Sequence, residues 1–178
     1  MTFWEIYDSY IKRSGADKLK EWIASTDFES APASTKYHES YPGGLKEHSV
    51  KVFNELVRLL KAYPEVKCSG ETAAIISLLH DLCKCNTYST EYRNRKDENG
   101  QWIKTPVYVF QEMFPYGGHG SKSVYLIQNH IQLTEQEAVA INCHMGPEAG
   151  NMGVYETYRT YPLAFLLHTA DMAATIKF

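Results

Sequence analysis

The residues best able to carry chemistry are histidines and aspartates that lie among apolar residues. In the stretch SLLHDLCKC, the apolar run Ile75–Leu79 is followed directly by His80 and Asp81. An imidazole nitrogen and a carboxylate oxygen are ligands that divalent transition metals accept together. The pair could arise by chance in a chain with seven histidines, so supporting context must come from the rest of the sequence.

Helical spacing places further ionisable groups on apolar faces. Residues three or four apart share a helix face, and the neighbours at that spacing are apolar for His48, His80, His144 and Asp171. A single inward histidine is more often a hydrogen-bonded core residue than a metal ligand. An inward aspartate is different, because a buried carboxylate without a partner is costly. One shared cation would neutralise Asp81 and Asp171 and use the histidine lone pairs, so the pattern predicts a metal site.

The elements that must position these residues are mostly helices. Apolar residues recur at helical spacing, and Gly or Pro residues end most of the segments. Between them, tyrosine, tryptophan and β-branched residues flank the turn signal DENG, which predicts an inserted β-hairpin at about 87–110. The sequence therefore predicts an all-α helical bundle with one small β-hairpin, in a single domain of residues 1–178. The predicted helices cover residues 2–13, 16–25, 45–62, 71–84, 121–131, 134–145 and 163–176.

Composition bounds the class of protein. The chain has 178 residues, of which 44% are hydrophobic and 22% charged, as is ordinary for a globular domain. A net charge of −3 gives no global attraction for nucleic acid, so no stable nucleic-acid partner is expected. No apolar run approaches the roughly 20 residues that span a bilayer, and the N-terminus lacks a signal-peptide pattern. We therefore expect a cytoplasmic protein without a membrane partner, with its four cysteines as reduced thiols.

Five segments, in order, resemble the HD-domain superfamily of metal-dependent phosphohydrolases. The resemblance covers residues 32–175 and implies an all-α core with metal at its centre. One departure is Cys83, which stands where a small residue, often Gly, is usual in the family. The segments are PGGLKEHSVKV (42–52, similar to the first-histidine helix), LLHDLCK (78–84, the His-Asp signature), GGHGSKSV (117–124) and INCHMG (141–146, the extra histidines of dinuclear branches), and LLHTADMA (166–173, the terminal aspartate helix).

The resemblance implies two divalent metal ions. Two such ions about 3.5–4 Å apart can share a water, lower its pKa and bind a phosphoryl oxygen. Mixed His/Asp ligation suits Fe, Mn, Ni, Co or Zn, and the ligand types do not choose among these metals. By this resemblance one ion is held by His48, His80, Asp81 and Asp171, and the second by His119 and His144, with Asp81 bridging the two.

Four basic residues are candidates for binding a phosphorylated substrate. Lys84 follows the His-Asp pair by one helical turn, where it could stabilise developing charge in catalysis or lie solvated at a helix C-terminus. Lys122, flanked by serines at a Gly-rich helix start, could meet an anion, or this segment could serve only to cap the helix. Arg93 and Arg95 share one face of a predicted strand, which forms either an electropositive lid or a solvated face.

Two further histidines are candidates for positions behind the metal ligands. His168 precedes Asp171 by three residues, so we expect it to orient that carboxylate. His38, in the loop STKYHESYPGG, could line the entrance to the site or lie on the surface.

The expected function is hydrolysis of a nucleotide or another small phosphate ester or diester, with Asp81 and Lys84 as the catalytic residues. A few members of the same superfamily use the same six ligands as di-iron oxygenases, and the ligand order does not separate these activities. A nucleotide-sensing module without turnover is a third interpretation. The complete ligand set argues against it, because a sensor has no need of all six ligands.

Overall fold

The computed structural model describes residues 1–146 and 153–176. These residues are mostly helical, with one antiparallel β-hairpin, as the sequence predicts. None of the helices in these two ranges is long and apolar enough to cross a membrane. The elements are α1 (Phe3–Tyr10), α2 (Ala16–Ser25), α3 (Gly44–Ala62), α4 (Gly70–Leu79), a 3-10 turn (Leu82–Lys84), β1 (Tyr88–Lys96), β2 (Trp102–Phe110), α5 (His119–Gln128), α6 (Glu135–Asn142), α7 (Gly153–Thr160) and α8 (Pro162–Thr175).

Helix α4 is the central helix of the core. Every residue from Ala73 to Leu79 is buried, so this helix is apolar on all sides rather than amphipathic. Ser69 caps it by accepting a hydrogen bond from the backbone N–H of Thr72. Helix α3 packs against both α4 and α8, and α6 packs against α8 and α5. The carboxyl end of α4 is therefore enclosed by the helices that carry the other predicted ligands.

The segment that carries the His-Asp pair differs from the continuous helix 71–84 that the periodicity predicts. The α-helix ends at Leu79, and Asp81 has φ −106° and ψ 17°, outside the helical range. The chain then tightens into the 3-10 turn, in which the N–H of Lys84 donates to the carbonyl of Asp81. Apolar periodicity does not show this change, because Leu82 and Cys83 are apolar and buried in the turn, so the apolar pattern continues beyond the end of the helix.

Helix α7 was not predicted from the sequence. Its segment, GVYETYRT, is mainly polar, and Val154 is its one buried residue. The segment therefore lacks the apolar stripe on which helix prediction depends. It packs against α8.

The β-hairpin lies within the predicted range. Strands β1 and β2 pair in register from Tyr88 opposite Phe110 to Lys96 opposite Trp102. Asp97 closes the turn by accepting hydrogen bonds from the N–H groups of Asn99 and Gln101. The two strands contact mainly each other, and β1 is exposed beyond its first two residues. The base of the hairpin lies near the site, and its tip projects from the helical core.

Candidate metal centre

Three histidines and two aspartates from four separate parts of the chain converge in the core. Helix α3 supplies the first histidine, the end of α4 the His-Asp pair, the turn after α6 a further histidine, and α8 the last aspartate. All three histidine side chains are fully buried, and Asp171 is the most accessible member, with 15% of its side chain exposed. The cluster consists of His48, His80, Asp81, His144 and Asp171, and it is compatible with a metal site.

The two carboxylate oxygens of Asp81 face different histidines. Oδ2 lies 3.4 Å from Nε2 of His80 and 3.8 Å from Nε2 of His48. Oδ1 lies 3.5 Å from Nε2 of His144. Asp171 lies near the same two histidines as Oδ2 of Asp81, because its Oδ1 is 3.0 Å from Nε2 of His48 and 3.8 Å from Nε2 of His80. The two oxygens of Asp81 therefore face different histidines, within a cluster in which ligand atoms of His80, His144 and Asp171 also lie within 4.8 Å of one another.

Backbone carbonyls orient two of the imidazole rings. Nδ1 of His80 lies 2.8 Å from the carbonyl oxygen of Ser77, and Nδ1 of His144 lies 2.6 Å from that of Ile141. A carbonyl oxygen only accepts, so each Nδ1 must carry the proton and donate. In the neutral ring, Nε2 then presents a lone pair toward Asp81.

The surroundings of the histidine Nε2 atoms show whether this cluster could accommodate a cation. Nε2 of His48, His80 and His144 are all buried without a hydrogen-bond partner. A lone pair that faces a carboxylate oxygen across 3–4 Å is unfavourable unless a positive charge lies between the two atoms. Buried polar atoms without partners are rare and need such an explanation. The donor atoms of this cluster therefore fit a bound metal ion.

The electrostatics of the two aspartates agree with cation binding. Burial alone would raise the pKa of Asp81, but the nearby Lys84 ammonium holds it well below its usual range. For Asp171, burial also acts upward, but contact with His48 and the proximity of His80 lower the pKa to about 2. Both carboxylates are therefore ionised in the core, where charge must be balanced.

Lys84 forms a buried ion pair rather than a solvated helix end. Its Nζ lies 2.6 Å from Oδ2 of Asp81, and only 11% of the lysine side chain is exposed. Burial would lower the pKa of Lys84, but Asp81 raises it above the usual value, so the side chain is charged. The sequence left open whether Lys84 stabilises charge at the site or lies solvated at a helix end, and the 3-10 turn brings it against the Asp81 carboxylate.

His119, the first residue of α5, contacts Cys83, and Cys83 in turn lies close to Asp81. Its Nδ1 lies 3.4 Å from Sγ of Cys83, and this sulfur lies 4.0 Å from Oδ1 of Asp81. Burial lowers the pKa of His119, which favours the neutral ring that a metal requires. Cys83 was not predicted as a ligand from the sequence. The one sequence feature that could have indicated it is that a cysteine stands where a small residue is usual in the family that the chain resembles.

A loop before α3 contributes two groups behind His48. The His38 ring centroid lies 4.9 Å from that of His48, so His38 borders the site, one of the two positions that the sequence left open. Burial lowers the pKa of His38, with the charges of His48 and Lys84 acting in the same direction. Glu39 was missed, although its Oε2 lies 3.7 Å from Nδ1 of His48 and Lys51 binds its other oxygen at 2.6 Å. Such a loop has no periodic pattern of apolar residues from which a buried glutamate could be predicted.

A cavity of about 240 Å³ opens beside this centre. Cys83, His119 and Lys122 contribute to its wall, so one of the predicted substrate lysines lies next to the candidate ligands. Lys122 is buried, and its Nζ lies 2.7 Å from Oε1 of Glu112, another lining residue that sequence analysis missed. An anion that binds Lys122 must therefore compete with Glu112.

Three other predicted residues have different surroundings. Arg93 and Arg95 are exposed on β1, beyond the half-buried base of the hairpin, and Arg93 lies 3.7 Å from Glu91. Nδ1 of His168 lies 2.8 Å from the carbonyl oxygen of His144, so this ring supports the backbone of a different candidate ligand from the one predicted.

No family model, curated protein or solved structure matches this chain. The geometry of the site therefore carries the functional argument.

Proposed function

We propose that the protein is a metal-dependent phosphohydrolase of the HD-domain type that acts on a small phosphate ester or diester, with nucleotides as the first class to test. The observation that carries this proposal is the division of Asp81, whose two oxygens face separate sets of ligands. A carboxylate shared in this way suits two adjacent divalent ions. The resemblance of five sequence segments to HD domains supports the same assignment.

The residues would divide between two ions. His48, His80 and Asp171 would hold one ion with Oδ2 of Asp81, and His119 and His144 would hold the other with Oδ1. When bound, the ions would supply a water of lowered pKa and Lewis-acid stabilisation of a phosphoryl oxygen. Ionised Asp81 and Asp171 fit this role, because they carry the negative charge that a divalent cation needs.

Lys84 would act on Asp81 and on the phosphoryl group. Its ammonium keeps Asp81 ionised and fixes the direction of Oδ2. A buried cation one turn from the ligands also stabilises negative charge that develops on a substrate, because few water molecules screen it there. Lys84 is thus proposed as a catalytic residue rather than as a metal ligand.

The substrate would enter beside His119. The adjoining cavity of about 240 Å³ is smaller than most sites for drug-sized ligands, which favours a small phosphorylated group at this point. Lys122 would exchange its contact with Glu112 for one with phosphate. The exposed arginines of the hairpin would meet the outer parts of a larger substrate if the hairpin closes over the site.

The decisive experiment measures product and oxygen dependence together. The purified chain is loaded with Mn, Fe, Co, Ni or Zn and assayed with nucleotides, cyclic dinucleotides and short oligonucleotides, with and without oxygen. We expect phosphate release or diester cleavage that is independent of oxygen and is lost in Asp81→Asn. Asp8→Asn, an exposed aspartate paired with Lys20, is the matched control and should retain activity.

Two results would overturn this proposal. Turnover that requires both iron and oxygen would indicate the di-iron oxygenase activity for which the same ligand set is suited. Tight nucleotide binding without turnover under every metal would indicate a sensing module.

A further inference from the structure

Cys83 lies among the candidate ligands of the second ion. Its side chain is buried, and its sulfur is 3.4 Å from Nδ1 of His119 and 4.0 Å from Oδ1 of Asp81. Ligand atoms of Asp81, Cys83 and His119 all lie within 4.8 Å of one another. The thiol therefore points toward the second ligand set and lies outside the apolar core cluster, which includes the nearby Cys85.

The backbone fixes the position of this thiol. The N–H of Cys83 donates to Oγ of Ser123 at 3.0 Å, and Ser123 is fully buried on α5. This bond ties the 3-10 turn to the helix whose first residue is His119. The sulfur and the His119 imidazole are thus held against each other by two packed elements.

A second, independent observation points to a cation at the same place. Nε2 of His144 is fully buried, has no hydrogen-bond partner and lies 3.5 Å from Oδ1 of Asp81. Its ring is oriented by the carbonyl of Ile141, so its lone pair is directed into the group. The sulfur and this nitrogen approach the same carboxylate oxygen.

Two of the separations between these atoms match those of a tetrahedral site. With Zn–S near 2.3 Å and Zn–N or Zn–O near 2.0–2.2 Å, ligand atoms of a tetrahedral zinc lie about 3.3–3.7 Å apart. The separations of 3.4 Å between Cys83 and His119 and of 3.5 Å between His144 and Asp81 fall in that range. The 4.0 Å between Cys83 and Asp81 is slightly longer.

We propose that the thiolate of Cys83 is a protein ligand of the second metal ion, together with Asp81, His119 and His144. This inference rests on the proposed two-ion centre and adds to it a soft sulfur donor, which favours zinc or cobalt at this position over manganese. Binding replaces the S–H bond by a metal–sulfur bond, and the proton is released to solvent. The first ion retains only nitrogen and oxygen donors, so the two positions differ in metal preference.

Cobalt(II) titration of the metal-free full-length chain tests the sulfur ligand directly. A thiolate bound to cobalt gives a near-ultraviolet charge-transfer band, whereas nitrogen and oxygen ligands give only the weaker visible bands. We expect the intensity of this band in the wild type to correspond to one thiolate-bound cobalt ion per chain. Cys83→Ala should lose the band and bind the corresponding ion at least about tenfold more weakly. Cys85→Ala, an equally buried neighbour in the apolar core, should keep both.

A second measurement requires no variant. X-ray absorption of the zinc-loaded wild type should show a sulfur neighbour at about 2.3 Å, with an average of about one half sulfur per zinc because only one of the two ions binds the thiolate. Cobalt binding at two equivalents without a charge-transfer band, or zinc without a sulfur neighbour, would overturn the role of Cys83 while leaving the two-ion proposal standing. A chain that binds no cobalt or zinc would overturn both.

Discussion

The ammonium group of Lys84 lies 2.6 Å from Oδ2 of Asp81, the same oxygen that faces His48 and His80. A carboxylate oxygen has two lone pairs, so Lys84 and a metal ion can share this atom. The lysine thus keeps the Asp81 carboxylate ionised and holds it in one orientation.

Asp81→Ala should remove bound metal and activity together, because Asp81 is the one residue that faces both ligand sets. We expect less than about a tenth of the wild-type metal in elemental analysis, in a protein with an unchanged circular dichroism spectrum. Asp8→Ala should retain both properties. Two ions per chain in folded Asp81→Ala would contradict the bridging role.

His144→Ala should leave one ion. His48, His80, Asp171 and Oδ2 of Asp81 do not depend on the His144 ring and would retain the first metal. Elemental analysis should give about one ion per chain and a rate lowered at least about a hundredfold. His130→Ala, which removes a ring that packs on Trp22, is the control and should retain both ions. Full activity with two ions in His144→Ala would refute the two-ion assignment.

Lys84→Ala should lower kcat more than it changes KM. The lysine charge matters most when the transition state gains negative charge, and one such contact contributes about 2–4 kcal/mol. Steady-state kinetics should therefore show a decrease in kcat of about 30-fold or more with metal content retained. Lys46→Ala, a half-exposed lysine paired with Glu29, should leave kcat unchanged. Loss of metal without a specific effect on kcat would show that Lys84 only supports Asp81.

The double variant Arg93→Ala, Arg95→Ala should raise KM by about tenfold or less, because exposed charges interact weakly. Both side chains are exposed on β1, so they act only if the hairpin approaches the bound substrate. The effect should shrink as salt is added, since salt screens exposed charges. Arg159→Ala, on exposed α7, is the control. Unchanged kinetics in the double variant would show that the hairpin does not contact substrate.

Glu137→Gln should destabilise the fold by about 2–4 kcal/mol, because Glu137 is fully buried and binds Arg13 through both oxygens, at 2.7 and 2.9 Å. Burial would raise the pKa of Glu137, but its hydrogen bond with Arg13 lowers it overall. Its stabilisation is therefore present above the ordinary glutamate pKa and is lost as pH falls through the folded value.

Urea unfolding at pH 7 and at about pH 3 measures this dependence, and the difference between Glu137→Gln and wild type should be smaller at the lower pH. Glu156→Gln, whose partner Arg159 is exposed, should cost little at either pH. An equal loss of stability at both values would mean that the Glu137 charge does not stabilise the fold.

The sequence determines much of this protein because the relevant information lies between near neighbours. Helical spacing alone places His48, His80 and Asp171 on apolar faces, and the segments that carry them form helices or helix ends. The DENG sequence predicts the hairpin for the same reason, because Asp97 accepts hydrogen bonds from the N–H groups of residues two and four positions ahead. Such local patterns predict which groups point inward, but not which atoms they meet there.

The tertiary structure decides the contacts between distant segments. Cys83 and His119 are 36 residues apart, and they meet because Ser123 joins α5 to the 3-10 turn. The division of Asp81 between two ligand sets depends on the chain leaving the helix after Leu79, where an uninterrupted apolar pattern predicts that it continues. Packing makes these choices, because the energy of a buried charge depends on every segment around it rather than on its sequence neighbours.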